Sequence, residues 1–280
     1  MAYLSKEALA AAGFTDEITP RVNSAVIVIA GIEGTGKTSW ALTAPKPLFY
    51  QETDFGTEGV IQKAIGQIIR PKDKDGKPKA YKLDIPHEYR AFVDRKETTQ
   101  ERQQREGRLA EFVHQSFYVP FYEDYAKAIK AGVRSIVWDN AVDIWENVRL
   151  SIYGREATNR SDLQAEANAK FREMVRLANV HNVNLIMINH LKTKFDSYYD
   201  ANGNLKWRPT SDYEMSGFDK SPMLVAMNLW TKFTPGEKPV FELTVKKNRD
   251  HPEWVGQTIP AMPFTELMGV LIPEVQSWEE

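Results

Sequence analysis

The sequence predicts an α/β fold, a mainly parallel sheet with helices on both faces. Three observations carry that prediction. Residues 25–30 (AVIVIA), 136–138 (IVW) and 185–188 (LIMI) are apolar throughout rather than alternating, as strands buried on both faces are. Segments of helical spacing separate these runs, the pattern of strand–helix–strand units. The first run also feeds a glycine-rich loop that opens onto a helix-forming segment.

Residues 1–22 read as a lead-in, with a short helix over 6–12 and Gly13 and Pro20 as breakers. The core begins near residue 23, and its first strand runs to Ala30. The next eight residues, Gly31-Ile32-Glu33-Gly34-Thr35-Gly36-Lys37-Thr38, fit G-x-x-x-x-G-K-[ST] without a mismatch, and a helix is expected over 38–43. A second strand over 47–51 ends in Glu52-Thr53-Asp54. Residues 71–79 are polar, broken by Pro and Gly and alternating in charge; with the charge-rich stretch that follows, they predict an exposed insertion over about 71–108. Helical pattern covers 109–129, interrupted or restarted at Pro120. A strand over 135–138 ends at Asp139. Leu163, Ala167, Phe171, Met174 and Ala178 recur at helical spacing, so 162–180 is an amphipathic helix facing the sheet. The strand over 184–189 ends at His190, a long polar and aromatic loop follows over 195–222, and further strands fall near 225–233 and 240–245.

Composition narrows the classes. There are 36 Lys+Arg against 38 Asp+Glu, a formal net charge of −2, which argues against a globally basic nucleic-acid coat while leaving local basic loops open. The chain has no cysteine, so disulfides, thiolate zinc sites and cysteine nucleophiles are excluded, and a reducing cytoplasm is expected. The first residues lack the charged-then-apolar layout of a signal peptide, and no apolar run approaches a membrane span, so no membrane partner is expected.

The glycine-rich loop predicts a nucleoside triphosphate site. With Gly at about 7% of average usage, a chance match in a chain of this size is on the order of one in a hundred. In such a loop successive backbone amides face a phosphate, with the helix start adding partial positive charge. Gly31, Glu33, Gly34, Thr35, Gly36, Lys37, Thr38 and Ser39 are the candidate nucleotide-binding residues. Lys37 would reach the β/γ-phosphates, and Thr38 would bind Mg²⁺ together with Asp139 at the end of its apolar strand. Thr193-Lys194-Phe195-Asp196 matches the guanine-reading [NT]-K-x-D pattern, but it lies beyond a strand end, and Asp139-Asn140-Ala141-Val142 has no glycine to make a D-x-x-G switch, so a GTPase is set aside.

The order of these motifs, from about Ser24 to Arg249, resembles the RecA superfamily of P-loop ATPases. Glu52-Thr53-Asp54 resembles that family's D-x-E element, whose second acid activates the attacking water; Asp54 stands where the family usually has Glu, which leaves Glu52 as the alternative base. Asp139-Asn140 is similar to its Walker-B end. Asn189-His190 is similar to the strand end that senses the γ-phosphate and leads into a DNA-binding loop, with His190 where many members have Gln. Residues 245–249 (VKKNR) are similar to the late strand whose cations, here Lys246, Lys247 and Arg249, act on a neighbouring subunit's ATP. Residues 41–47 (ALTAPKP) resemble more specifically the phage-encoded RecA-like ATPases, a group that includes single-strand-annealing recombination proteins. The resemblance implies a RecA-like core over 23–280, ATP and Mg²⁺ as cofactors, assembly with itself as a ring or filament, single-stranded DNA as partner, and the host cytoplasm as location.

The loop after His190 is the DNA candidate. Its Asn202-Gly203 is a strong hairpin signal, and Tyr198, Tyr199 and Trp207 would stack bases while Lys206 and Arg208 take phosphates. The acids Asp196, Asp200, Asp212, Glu214 and Asp219 oppose that reading, and the aromatics could equally be the packed face of a small hairpin. His114, His181 and His251 show no metal-ligand spacing and read as structural. Two alternatives remain beside the recombination ATPase: a P-loop kinase of a small substrate, and a slowly hydrolysing assembly protein that uses the nucleotide as a switch.

Overall fold

A computed structural model of the chain describes residues 24–54, 56–89, 97–155, 161–200, 202–218, 221–237, 239–275 and 278. The lead-in over 1–22, with its expected helix, lies outside them, as does Asp219. Strands β1 (Val26–Gly31), β2 (Leu48–Glu52), β3 (Ile68–Ile69), β4 (Ser135–Asp139), β5 (Asn184–Tyr199), β6 (Leu205–Met215), β7 (Met227–Thr234), β8 (Val240–Asn248) and β9 (Thr258–Pro260) form one sheet system. The path runs β3-β2-β4-β5-β1-β7-β8-β9, parallel as far as β7 and antiparallel beyond, with β6 paired only to β5.

Helices cover both faces, as the unbroken apolar strands require. On one face lie α3 (Thr99–Val113), α4 (Val119–Lys130), α5 (Ala141–Tyr153) and α6 (Ser161–Val180), packed around Trp138, Phe171, Phe117 and Phe121. On the other, α1 (Lys37–Ala41) and α8 (Phe264–Leu271) cover Ile27, Ile29, Tyr50, Val137 and Ile188. Short α2 (Glu58–Ile61) and α7 (Ser221–Leu224) close loops. Alternation along each strand assigns its side chains to one face or the other.

Three expectations change. The charged stretch before residue 109 is not all excursion: Thr98 and Glu101 form a capping box that starts α3, and Leu109 and Val113 at its far end are fully buried. Residues 71–79 do form a small exposed turn, closed by a Lys72–Pro78 bridge and by Asp73 accepting from the amides of Asp75 and Lys77. Tyr81 then returns the chain to the core, wedged against Phe117 and Phe121. Pro120 does not break the helical run, because a π-helical turn over His114–Tyr118 carries α3 into α4 and Pro120 falls in the first turn of α4, where its missing N–H costs little. The stretch after His190 is not a loop: β5 continues ten residues past its buried part and returns as β6, a long exposed hairpin. In α6, Ala167, Phe171, Met174 and Ala178 are buried as the spacing predicts, while the Leu163 side chain lies outside the description.

Candidate functional site

The strand order brings the motifs together. The chain leaves β1 to build β2, β4 and β5 on one side, then returns to β7 on the other, so the carboxyl ends of β1, β4 and β5 surround a topological switch point. Register sets Gly31 level with His190, Ile188 level with Asp139, and Asp139 level with Glu52.

At β1's end the loop 31–36 turns through Gly34 and Gly36, both left-handed at φ 76° and 79°. Gly31 is needed for a different reason: a Cβ there would lie 1.9 Å from Thr231 Oγ1 and 2.5 Å from Thr35 Oγ1. Those hydroxyls bond each other at 2.6 Å, and Thr35 also donates to the Ile32 carbonyl. Thr35 thus holds the loop's shape, while Glu33 and Ser39 lie on the exposed side. Helix α1 has only five residues, so the cradle consists chiefly of loop amides and Lys37 rather than a helix dipole.

Lys37 is buried, and its ammonium donates to the carbonyls of Gly31 (3.0 Å) and Ile32 (2.8 Å), folded into the loop it serves. Burial lowers its pKa, and the Asp139 and Glu33 carboxylates pull it partly back. Thr38 Oγ1 donates to Asp139 Oδ2 at 2.7 Å, across more than a hundred residues of sequence. The hydroxyl and carboxylate that a P-loop site needs for Mg²⁺ are therefore side by side. An ion that keeps several waters and takes one carboxylate fits this pair. The sequence did not point to Tyr50, whose hydroxyl donates to the same Asp139 oxygen at 2.8 Å. Burial first, and then Asp139, raises the Tyr50 pKa far enough to keep it a neutral donor.

The two candidate bases differ sharply. Glu52 is buried, with one carboxylate oxygen accepting from the Thr57 hydroxyl and the other from the Arg70 guanidinium, which also reaches Glu58. Asp54 is exposed at the rim and accepts from Asn140 Nδ2 at 3.3 Å. Partial withdrawal from water, together with the Asp143 and Asp139 carboxylates, raises its pKa, with His190 and Lys82 opposing. Asn140 also caps α5 through Asp143, whose carboxylate takes bonds from Thr53 and Asn140. In β5, Ile186 and Ile188 lie on the α1 face, so alternation turns His190 to that face and Asn189 away from it. Asn189 Nδ2 donates to Ser216 O.

The late cations are not brought to this cluster. Asn228 pairs with Lys247 near the start of β7, so β8 ends at the opposite, amino edge of the parallel strands. There Lys247 donates to the carbonyls of Pro222 and Val225, and Arg249 to those of Met223 and Val225, which pins α7 and the turn into β7. Lys246 lies over the Trp230 ring at 4.4 Å. The nucleic-acid candidates do share one hairpin but not one face. Register pairs Ser197 with Trp207 and Tyr199 with Leu205 on one face, and Asp196 with Arg208 and Tyr198 with Lys206 on the other. Lys206 pairs with Asp200 at 3.0 Å, and Arg208 lies over Tyr198. Of the histidines read as structural, His114 stacks on Tyr118 and His251 lies between Glu253 and Glu274.

A parallel sheet with a phosphate loop at its switch point, and a hydroxyl–carboxylate pair beside that loop, defines a P-loop nucleotide-binding domain. A family model described as an AAA domain matches residues 23–217, well over half of the chain. The chain belongs to that family of nucleotide-binding ATPase domains. No curated protein matches it. Among the described residues no helix is long and apolar enough to cross a membrane.

Proposed function

We propose that this chain is a Mg²⁺-dependent ATPase of the phage-encoded RecA-like type, acting on single-stranded DNA in recombination or annealing and working as an oligomer. The observation that carries the hydrolytic part is the 2.7 Å contact of Thr38 with Asp139 beside the buried Lys37. Thr38 and Asp139 would hold the metal, which when bound neutralises phosphate charge. Lys37 leaves its two carbonyl partners for the β/γ-phosphates. Asp54 orients the attacking water in line and takes its proton: its carboxylate is open and its pKa raised toward neutrality, whereas Glu52 is neutralised by Arg70. His190, level with Gly31 on the neighbouring strand, would sense the γ-phosphate.

The DNA part rests on the hairpin. Every charged residue between 191 and 215 falls at an even position, where Lys192, Lys194, Lys206 and Arg208 balance Asp196, Asp200, Asp212 and Glu214. The odd face is uncharged and aromatic, with Tyr199 74% and Trp207 64% exposed beside Phe195 and Leu205. Bases stack on that face, and phosphates receive little help from Lys192 and Lys206, paired with Glu214 and Asp200, or from Arg208, which lies over Tyr198. Single-strand affinity is therefore expected to depend on Trp207 by about 1–3 kcal/mol. It should depend weakly on salt, with a log–log slope below the roughly 1.4 that two phosphate contacts would give.

The same balance of charge favours a second reading, in which the uncharged face is buried on a neighbouring copy and the nucleotide switches assembly. ATP turnover and light scattering, each with and without oligonucleotide, separate the two. Turnover stimulated by single-stranded DNA supports the first. Slow turnover with ATP-dependent growth in size supports the second, and so does an absence of DNA affinity at low salt with an ATP analogue. Phosphorylation of a small acceptor would overturn both in favour of a kinase.

A further inference from the structure

A phosphate cradle holds one end of a nucleotide, and the base needs a seat within one nucleotide's length of it. Beside the loop lies an open pocket of about 410 Å³, within the usual range for small-molecule sites. Gly36 and Ser39 lie on its phosphate side; Trp40, Phe241, Met262 and Pro263 supply aromatic and apolar wall, and Thr35, Thr43, Thr231 and Glu242 border it as well. Its origin is the alternation of β8. Leu243 and Val245 enter the core under α1 and α8, and Phe241, two residues earlier on the same face, emerges next to the loop, 42% exposed. Its ring is held against Phe233 at a centroid distance of 4.8 Å, so close to the loop that a Cβ on Gly36 would meet it at 3.2 Å.

The opposite wall is fixed as well. Trp40 Nε1 donates to the Met262 carbonyl at 2.9 Å, the Ala261 amide to the Phe241 carbonyl, and the Phe264 amide to Thr43 Oγ1. These bonds build the walls, and they also consume polar groups that could read a base edge. Thr35 and Thr231 bond each other, Thr43 is engaged by Trp40 and Phe264, and Glu242 alternates to the other sheet face, where it pairs with Lys232 at 3.7 Å. What the pocket offers a ligand is an aromatic platform and apolar walls.

We propose that this pocket seats the nucleobase by stacking on Phe241, and that it accepts adenine and guanine nucleotides alike because, among the described residues, the threonine hydroxyls that border it are already bonded and the unbonded Ser39 hydroxyl lies at its phosphate side, away from a base edge. The proposal rests on the triphosphate reading of the loop and extends it to the class of nucleotide. The proton donor and acceptor pattern of a purine edge is read only by fixed partners, and a π-face is common to every base.

Titration calorimetry on the full chain tests it, with MgATP, MgGTP and magnesium tripolyphosphate as probes. Wild type is expected to bind ATP and GTP within about tenfold of each other. Phe241→Ala should weaken both by about tenfold or more and leave tripolyphosphate within about twofold, since a stacked base contributes on that scale. Phe241→Leu, which keeps apolar bulk against Phe233, should show the same selective loss, so the test survives if the alanine variant folds poorly. A preference above tenfold for either nucleotide overturns the proposal. So does an equal loss of tripolyphosphate, which would make the ring a support for the loop, and so does unchanged ATP affinity. Tripolyphosphate binding lost in Lys37→Ala keeps the phosphate site itself intact whichever way the base result falls, whereas wild type that binds none of the three probes refutes both.

Discussion

Replacing Gly31 by alanine should disturb the nucleotide loop through space rather than through backbone angle, and the disturbance should be reversible from a distant strand. The new Cβ would lie 1.9 Å from Thr231 Oγ1 and 2.5 Å from Thr35 Oγ1. Neither hydroxyl can turn freely, because Thr35 donates to Ile32 O and so accepts from Thr231, at 2.6 Å. Overpacking of this kind costs about 1–3 kcal/mol, and forfeiting the hydroxyl pair adds about 1 kcal/mol. Gly31→Ala is therefore expected to lose about 2–4 kcal/mol in urea denaturation and to weaken ATP binding. Thr231→Ala alone should cost about 1 kcal/mol, since Thr35 keeps its Ile32 bond. In the double variant the nearest conflict is gone, Thr35 can rotate by giving up its Ile32 bond, and the remaining 3.3 Å approach to the residue 231 Cβ is tolerable. The double should thus be less destabilised than the sum of the singles by about 1–2 kcal/mol. Thr231→Val, which keeps a γ-atom at the same place, should give no such relief. Additivity within about 0.5 kcal/mol, or rescue by valine equal to that by alanine, would refute the steric account.

Tyr50→Phe removes the second donor to Asp139 Oδ2 while leaving the buried ring, so the freed carboxylate oxygen should lower the Mg²⁺ concentration needed for half-maximal turnover, where a purely packing role would leave it unchanged. Asp54→Asn should abolish turnover with nucleotide binding retained, while Glu52→Gln should chiefly lower the melting temperature by breaking its bonds with Arg70 and Thr57; the reverse pattern would move the base to Glu52. Because the folded pKa of Asp54 is raised, its base function should fail as pH falls through a value above the ordinary carboxylate range, seen as an acid limb of kcat/KM displaced upward. The sign for stability is opposite: ionising this carboxyl disfavours the fold, so Asp54→Asn should not lower the melting temperature at neutral pH. Lys247→Ala should cost about 1–3 kcal/mol through the carbonyls of Pro222 and Val225, with nucleotide affinity unchanged in a fully folded sample; a selective loss of hydrolysis without loss of stability would restore its expected action on a neighbour's nucleotide. His251 has its pKa raised by bonds to Glu253 and Glu274, so it adds stability below the ordinary histidine range that disappears as pH rises through the raised value, and His251→Gln should flatten that dependence.

The sheet was legible because its strands are buried on both faces, which leaves continuous apolar runs with few competing readings. The phosphate loop was legible because the chemistry needs glycines and a lysine at fixed spacing. What escaped depends on the order of strands, which sequence does not encode locally. Tyr50 is two residues before Glu52 and shares its face, but nothing in β2 says that β4 lies next to it with Asp139 in register. Thr231 touches Gly31 across two hundred residues for the same reason. The hairpin was half legible: Asn202-Gly203 announced its turn, while alternating charges made its strands look like loop. The bonds of Lys247 and Arg249 were not legible, because a cation's partners can be backbone carbonyls, which carry no sequence signature.

The placement of β5 explains how one strand can serve both halves of the molecule. Its first six residues are locked between β1 and β4, where a buried parallel ladder permits little independent movement. Its next residue, His190, stands level with Gly31 of the loop. From there the strand runs on to Tyr199, roughly 30 Å at about 3.3 Å per residue, and among the described strands it pairs there with β6. The register shift between Thr193 and Phe195 is the first place beyond His190 where that ribbon can bend, since extra residues on one strand loosen the ladder there and increase its twist. A rotation of about 5° at that point displaces Tyr199 by roughly 1.4 Å over the remaining stretch of about five residues. The end of β5 beside the phosphate loop and the uncharged face of the hairpin thus belong to one hydrogen-bonded ribbon, whose register shift between Thr193 and Phe195 lies closer to the loop than to the hairpin turn.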